Sequence, residues 1–234
     1  MIATIHQPDF MPWLGFFKKL TKVQIWIVLD HVTNNPRDAF WGRRVKLLIN
    51  GNLYWLTIPL QKPEKRGRIS VPLMEMMIDQ SNQEKLKNQL KTVRQFYCKA
   101  PYFTEIFPYF QEYFSEFQKS LAEKNLLLIR RILEGLEIKL QIIKSSELNP
   151  SSSSTALLID LLKAVGADCY ICGDGARGYQ KDDLFEKNNI LLKYNNFCHP
   201  TYPQIGTNEF VSGLSIFDTI ANVGFKQTIL LLKN

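Results

Sequence analysis

The sequence predicts an α/β fold: a mixed or mostly parallel sheet flanked by helices, with a β-hairpin excursion and a central helical segment at about residues 81–136, in one domain of 234 residues. Three observations predict it. The carboxyl half alternates strand-length apolar runs with amphipathic segments, the pattern of a parallel sheet whose crossovers are helices. The amino terminus reads strand, loop, helix, strand, a βαβ-type opening. Between these halves an Asn50-Gly51-Asn52 turn signal precedes a long stretch of helical periodicity punctuated by prolines.

Taken in order, residues 2–5 are a short apolar run. Pro8 and Pro12 mark a loop, and Trp13, Leu14, Phe16, Phe17 and Leu20 follow at helical spacing. Residues 23–32, VQIWIVLDHV, are rich in β-branched and aromatic side chains and read as a buried strand ending near Asp30. Residues 43–49 and 54–60 pair as a hairpin, because Asn-Gly supplies the positive φ angles of a type I′ turn, and residues 69–74 and 76–78 extend it. The polar loop QKPEKRGR between them carries Lys62, Lys65, Arg66 and Arg68. Residues 81–136 hold three helices, the first capped by Ser81 or Asn82, with Pro101 and Pro108 as interruptions. The aromatic run from Tyr102 to Phe117 reads as a packing face rather than a base-stacking platform.

The remainder reads as strand 140–143, helix 156–165 capped from Ser151 to Thr155 and ended by Gly166, and strand 169–172. A glycine-rich turn, a short helix 183–187, strand 190–194 and a last helix in LSIFDTIANVG follow. No internal repeat is present.

Composition narrows the class. Hydrophobic residues at 45% and charged residues at 22% exclude a disordered or collagenous chain. A balance of 29 Lys+Arg against 22 Asp+Glu, net +7, favours anionic partners through the summed field. Four cysteines, Cys98, Cys169, Cys172 and Cys198, do not make the staple framework of a small secreted domain and fit a reducing compartment. The start MIATIHQPDF is unlike a signal peptide, and no run approaches the ~20 apolar residues of a membrane span. A cytoplasmic location is the expectation.

Several motifs carry chemistry. Gly173 to Gly178, GDGARG, spells G-x-G-x-x-G after a strand, but no acid ends the next strand and the following helix is short. A phosphate-approaching or merely tight loop is favoured, with Arg177 as an anion contact. Cys169 and Cys172 with Cys198 and His199 have zinc-ligand types, yet residues three apart in a strand point to opposite faces, so no metal is expected. Arg44 and Lys46 share one face of the hairpin strand and Arg43 takes the other; a guanidinium there can hold phosphate bidentately. Lys85, Lys87, Lys91, Arg94 and Lys99 make a basic helix suited to an acidic carrier protein, and no nucleic-acid module is recognised. The three histidines, His6, His31 and His199, each stand where a predicted strand ends, the place where α/β sheets build ligand crevices. A near-neutral imidazole there can take a proton from an amine or hydroxyl.

The segments HQPDFMPWLGFFKK, LDHV, FWGRRVKL, YWLTIPL, APYF, SSEL, YICGDGARGY, HPTYPQ and GLSIFDTIANVG occur in an order that resembles the WbqC-like protein family, over residues 5–224. The resemblance implies a place in bacterial surface-polysaccharide and amino-sugar pathways, with acyl or aminoacyl transfer as the suspected chemistry. Family-like polar residues are His6, Gln7, Asp30, Arg43, Lys46, Ser146, Glu147, Tyr170, Tyr179, His199, Tyr202, Gln204, Ser215, Asp218 and Asn222. Gly42 stands where an asparagine is expected and Cys172 where a serine is usual, which weakens the case for a cysteine nucleophile.

The functional expectation is a transferase that forms an amide on a nucleotide-linked amino sugar for O-antigen-type polysaccharide. His6 serves as base, Asp30 orients it or the amine, and His199 is a second acid/base group. Gln7, Trp13, Arg43, Lys46, Arg177, Tyr179, Tyr202 and Gln204 bind substrate. No cofactor is bound; the acyl group comes from a thioester co-substrate, on an acidic acyl carrier protein or CoA. The nucleotide sugar is the small-molecule partner, and the oligomeric state is left open. The alternative is a non-catalytic sugar-nucleotide-binding or scaffold protein. A nucleotidyltransferase-like site ranks last, because an H-x-G-H pair is absent.

Overall fold

The computed structural model describes residues 1–34, 40–61, 71–115 and 120–233. The cations Lys62, Lys65, Arg66 and Arg68 and the aromatic Phe117 lie outside the described residues. The chain opens with β1 (Ile2–His6), α1 (Leu14–Leu20), β2 (Ile25–Val28), β3 (Thr33–Asn34) and the single turn α2 (Phe40–Arg43). Next come β4 (Arg44–Ile49), β5 (Asn52–Thr57), β6 (Val71–Pro72), α3 (Gln83–Tyr97), α4 (Phe103–Tyr113) and α5 (Leu121–Gly135). The carboxyl part is β7 (Gln141–Lys144), α6 (Ser154–Ala164), β8 (Cys169–Cys172), α7 (Asp183–Lys187), β9 (Leu191–Tyr194) and α8 (Ile216–Lys233).

The main sheet has five strands in the order β7-β2-β1-β8-β9, every neighbouring pair parallel. From β1 the chain builds outward through β2 to β7, then returns past β1 to build β8 and β9 on the other side. The order therefore reverses between β1 and β8, and in open parallel sheets such a reversal leaves a crevice beyond the carboxyl ends of the strands.

Strand alternation sends successive side chains to opposite faces. Ala3, Ile5, Ile25, Ile27, Tyr170 and Cys172 pack on one face against Leu157, Leu161 and Leu162 of α6 and Phe185 of α7. Trp26, Val28 and Ile171 face the other way, into a larger core filled from α1, the hairpin, α3 to α5 and α8. α1 forms because Leu14, Phe16, Phe17 and Leu20 make one buried apolar stripe. α5 starts at a capping box in which Ser120 accepts from the Glu123 amide and the Glu123 carboxylate accepts from the Ser120 amide.

The expected hairpin is β4 with β5: Ile49 pairs with Asn52, and Asn50 (φ 51°) and Gly51 (φ 73°) form the two-residue turn. Four expectations differ in detail. The strand expected at 23–32 keeps sheet pairing only from Ile25 to Val28, since past Leu29 the Asp30 carboxylate accepts from Ser145 and Ser146 and draws the chain off the ladder. The segment expected to lengthen the hairpin instead pairs Val71 and Pro72 with β3, and Ile78 bridges to Leu60. Asn82 makes no side-chain cap; Asp79 accepts from the Ser81 amide one turn earlier. Pro101 separates α3 from α4, but Pro108 lies inside α4 with its ring exposed, where solvent can reach the carbonyl whose helical donor is missing. The aromatic run is a packing face, with Phe103, Phe107, Phe110, Tyr113 and Phe114 buried.

Gly224 sits within α8 at φ 76° and ψ 167°, and a Cβ there would stand 2.7 Å from the Tyr102 ring. Gly224→Ala is expected to lower stability by about 2–4 kcal/mol through backbone strain and overpacking, a fall of roughly 5–15 °C in melting temperature by calorimetry.

Candidate functional site

At the reversal of strand order lies a cavity of about 350 Å³ lined by Ile5, His6, Gln7, Asp9, Leu29, Trp41, Leu158, Tyr170, Ala176, Tyr179 and Gln180. The floor comes from the ends of β1 and β8, and one wall from the loop that the two prolines stiffen. That loop is fixed from three sides. The Phe10 amide donates to the Trp41 carbonyl at 2.9 Å. The wholly buried Asn125 of α5 donates to the carbonyls of Pro8 (2.8 Å) and Gly42 (2.6 Å) and accepts from the Tyr113 hydroxyl. Ser215, just before α8, donates to the Met11 carbonyl at 2.9 Å.

His6 ends β1, its ring edge-on to Phe16 at 5.1 Å and its side chain 34% exposed toward the cavity. A carbonyl can only accept, so the 2.9 Å contact from Nδ1 to the Gln7 oxygen places the proton of the neutral ring on Nδ1 and leaves the Nε2 lone pair free. Removal from bulk water, then the charge of Lys19, lower the His6 pKa to about 3, so the ring is neutral near pH 7. Asp9 Oδ2 lies 3.7 Å from the same Nδ1. Burial pushes the Asp9 carboxyl up to about 7 against the opposing pull of Lys19. Lys19 on α1 is 2% exposed, and desolvation lowers its ammonium to about 8, with Asp9, Cys172 and Asp174 acting to raise it. A base, an acid poised near neutrality and a cation thus share the end of β1.

Other expected site residues are distributed elsewhere. Gln7 and Tyr179 line the same cavity as His6. Asp30 lines a separate recess of about 190 Å³ with Lys144, Ser146, Ser120 and Glu123, its carboxylate accepting from Ser145 and Ser146 at 2.7–3.0 Å. It therefore braces the β2–β7 end of the sheet rather than orienting His6. His199 is not among the residues lining the His6 cavity. Its ring stands among Trp13, Phe197, Tyr202 and Phe210 at 5.2–6.3 Å, with Nδ1 donating to the Pro200 carbonyl and Nε2 buried without a hydrogen-bond partner among the described residues.

Tyr202 and Gln204 spend their polar atoms on the buried Asp218: the Tyr202 hydroxyl donates at 2.8 Å and the Gln204 amide at 3.2 Å. Arg177 stacks 4.0 Å over the Tyr194 ring and donates to Asn196. Arg43 closes α2, with Nε buried and without a hydrogen-bond partner among the described residues and its charge disfavoured by burial, then by Arg44. Lys46 lies 5.2 Å over the Trp55 ring, with the Arg44 guanidinium at 4.6 Å. Trp55 is in turn 6.0 Å from Trp41, which is 49% exposed at the cavity rim. Burial raises the Cys172 thiol to about 11, which disfavours the thiolate a nucleophile needs. Among the described residues no group of three or more His, Cys, Asp or Glu is placed to hold a metal ion.

The WbqC-like protein family model matches residues 7–229 of the chain. The chain belongs to that family. The uncharacterised protein Rv1507c of Mycobacterium tuberculosis is 26% identical over 224 residues, covering 95% of this chain and 94% of that one. No solved structure matches. Among the described residues of this WbqC-like chain, no helix is long and apolar enough to cross a membrane.

Segments at opposite ends of the sequence meet in space. Ser215 binds the Met11 carbonyl and, through its amide, the Lys46 carbonyl, while the Ile216 amide reaches the Pro12 carbonyl. Sequence reasoning missed Asp9, Lys19, Trp41 and Gln180. For Lys19 a signal existed: it falls three residues after Phe16, on the buried side of a helix whose other lysine, Lys18, is more exposed. For Gln180 none did, because its position depends on the β8 turn.

Asp9 yields a signed test. A carboxyl whose folded pKa stands above its unfolded value contributes stability at low pH that is lost as pH rises toward about 7. Asp9→Asn cannot lose it. Its melting temperature relative to the native protein is expected to climb between about pH 4.5 and 7, by roughly 2–4 °C for each kcal/mol.

Proposed function

We propose that this WbqC-like protein is a transferase that forms an amide on a nucleotide-linked amino sugar, taking an acyl or aminoacyl group from a thioester on CoA or an acidic carrier protein. The observation that supports the reading best is the neutral His6 imidazole, its Nδ1 proton committed to Gln7 and its Nε2 free beside a cavity at the strand-order reversal. The amine nitrogen attacks the thioester carbonyl; the new C–N bond forms and the C–S bond breaks. His6 Nε2 takes the proton that the nitrogen sheds and returns it to the departing thiolate, so the products are an amide and a thiol. Asp9, once ionised, stabilises the transient imidazolium across 3.7 Å. Gln180, whose Oε1 is buried without a hydrogen-bond partner among the described residues, is an acceptor for a second amine hydrogen. Trp41 and Trp55 with Arg44 and Lys46 make an aromatic and cationic approach to the rim, suited to a nucleotide or a CoA-like donor. The setting is bacterial surface-polysaccharide biosynthesis in the cytoplasm.

The test is incubation of purified protein with amino-sugar nucleotides and acyl-CoA or acyl-carrier donors, with mass spectrometry for the amide. His6→Ala is expected to cut the rate by about 10²-fold or more. The native kcat/KM should rise with pH through about 7 as Asp9 ionises, and Asp9→Asn should flatten that rise. Tight sugar-nucleotide binding with no product from any donor, unchanged in His6→Ala, would instead identify a binding module.

A further inference from the structure

Lys19 is 2% exposed, and among the described residues its Nζ is buried without a hydrogen-bond partner. A desolvated ammonium is costly unless an acceptor replaces its water. Among the described residues the compensation acts through space, from Asp9, Cys172 and Asp174, which sit at or just past the carboxyl ends of β1 and β8. Among the described residues none of the three hydrogen-bonds the ammonium. Asp174 turns its oxygens to the amides of Asn196 (2.9 Å) and Phe197 (3.2 Å). Cys172 remains a thiol, and burial keeps Asp9 substantially protonated near neutrality.

The field of this cation reaches the cavity wall: it opposes a proton on His6 and favours the anionic form of Asp9. A ligand group seated beside those two side chains is subject to the same field. We propose that the cavity selects a phosphate-class oxyanion and that Lys19, on the helix whose Phe16 ring packs against His6 at 5.1 Å, is the specificity-determining charge. Phosphate is favoured over other anions by two features. The cavity stands at the strand-order reversal, where parallel sheets receive nucleotides. In the adjoining 173–178 loop, nothing lies within 4 Å of where a Cβ on Gly173, Gly175 or Gly178 would stand, so the backbone there is open to approach. The inference rests on the transferase reading in one respect, that the oxyanion is the diphosphate of the nucleotide-linked substrate.

Titration calorimetry at constant ionic strength tests it, with pyrophosphate, UDP and uncharged uridine as probes. The native protein is expected to bind UDP and pyrophosphate well above uridine. Lys19→Met, which replaces an unpaired buried cation by an apolar chain of similar length, should keep or raise the melting temperature and weaken both anions by about tenfold or more. Asp9→Asn should move the other way, strengthening them several-fold at about pH 8, because a competing negative charge is gone. Unchanged anion affinity in Lys19→Met, weaker binding in Asp9→Asn, or no anion binding by the native protein at millimolar concentration would each overturn the inference. Should Lys19→Met fail to fold, the sign of the Asp9→Asn effect decides alone. Anion selectivity without amide product leaves this inference standing and removes the transferase; product formation with unchanged affinity in Lys19→Met does the reverse.

Discussion

The amide of Asn125 is the constraint on which the cavity depends. Wholly buried in α5, it ties the carbonyl of Pro8 to that of Gly42 and is itself held by the Tyr113 hydroxyl. Both donors and the acceptor are used, so removing the side chain would strand buried backbone carbonyls, at about 1–3 kcal/mol each. The geometry that results is specific. The loop after β1 cannot swing away from α2, and Trp41 is kept at the rim opposite His6. Prolines limit what the loop can do; Asn125 selects which of the remaining conformations it adopts.

Within that frame the chemistry comes from desolvation more than from pairing. His6, Asp9 and Lys19 are all displaced toward their neutral forms by burial as the first cause; Asp9 and Lys19 partly offset one another, while Lys19 adds to the shift at His6. The sheet makes this arrangement available. Parallel strands end together, and the reversal between β1 and β8 leaves their ends without a covering crossover helix, so polar groups stand in a recess that is neither core nor open surface. The other end-of-strand recess, beneath β2 and β7, follows the opposite course: Asp30 satisfies its carboxylate with serine hydroxyls and a backbone amide and becomes a brace.

Much of the fold was legible in the sequence because it rests on local rules. The Asn50-Gly51 turn, the three helices between 83 and 135 and the alternation of strand and helix after residue 140 all follow from periodicity and turn chemistry. The strand order was not legible, since pairing between β1 and β8 spans more than 160 residues and no periodicity encodes it. The same limit governed the site. His6 and Gln7 could be read because they end a strand beside a proline-rich loop. Asp30, His199, Tyr202 and Gln204 share their residue types with catalytic groups, yet hydrogen bonds across long separations turn Asp30, Tyr202 and Gln204 to structural work, and aromatic rings enclose His199. Lys19 shows the converse, a residue type whose usual place is the surface, which helical spacing from Phe16 nevertheless puts on the buried side of α1.

The buried carboxylate of Asp218 joins parts of the molecule that are remote in sequence. It accepts from Tyr97 of α3 and from Tyr202 and Gln204 of the loop before α8, while the Tyr97 hydroxyl accepts from the Leu48 amide of β4. Local opening of any one of these segments leaves an ionisable oxygen or a phenol exposed to an apolar interior. Hairpin, basic helix and terminal loop are thereby tied to one buried carboxylate, which couples the opening of each to that of the others.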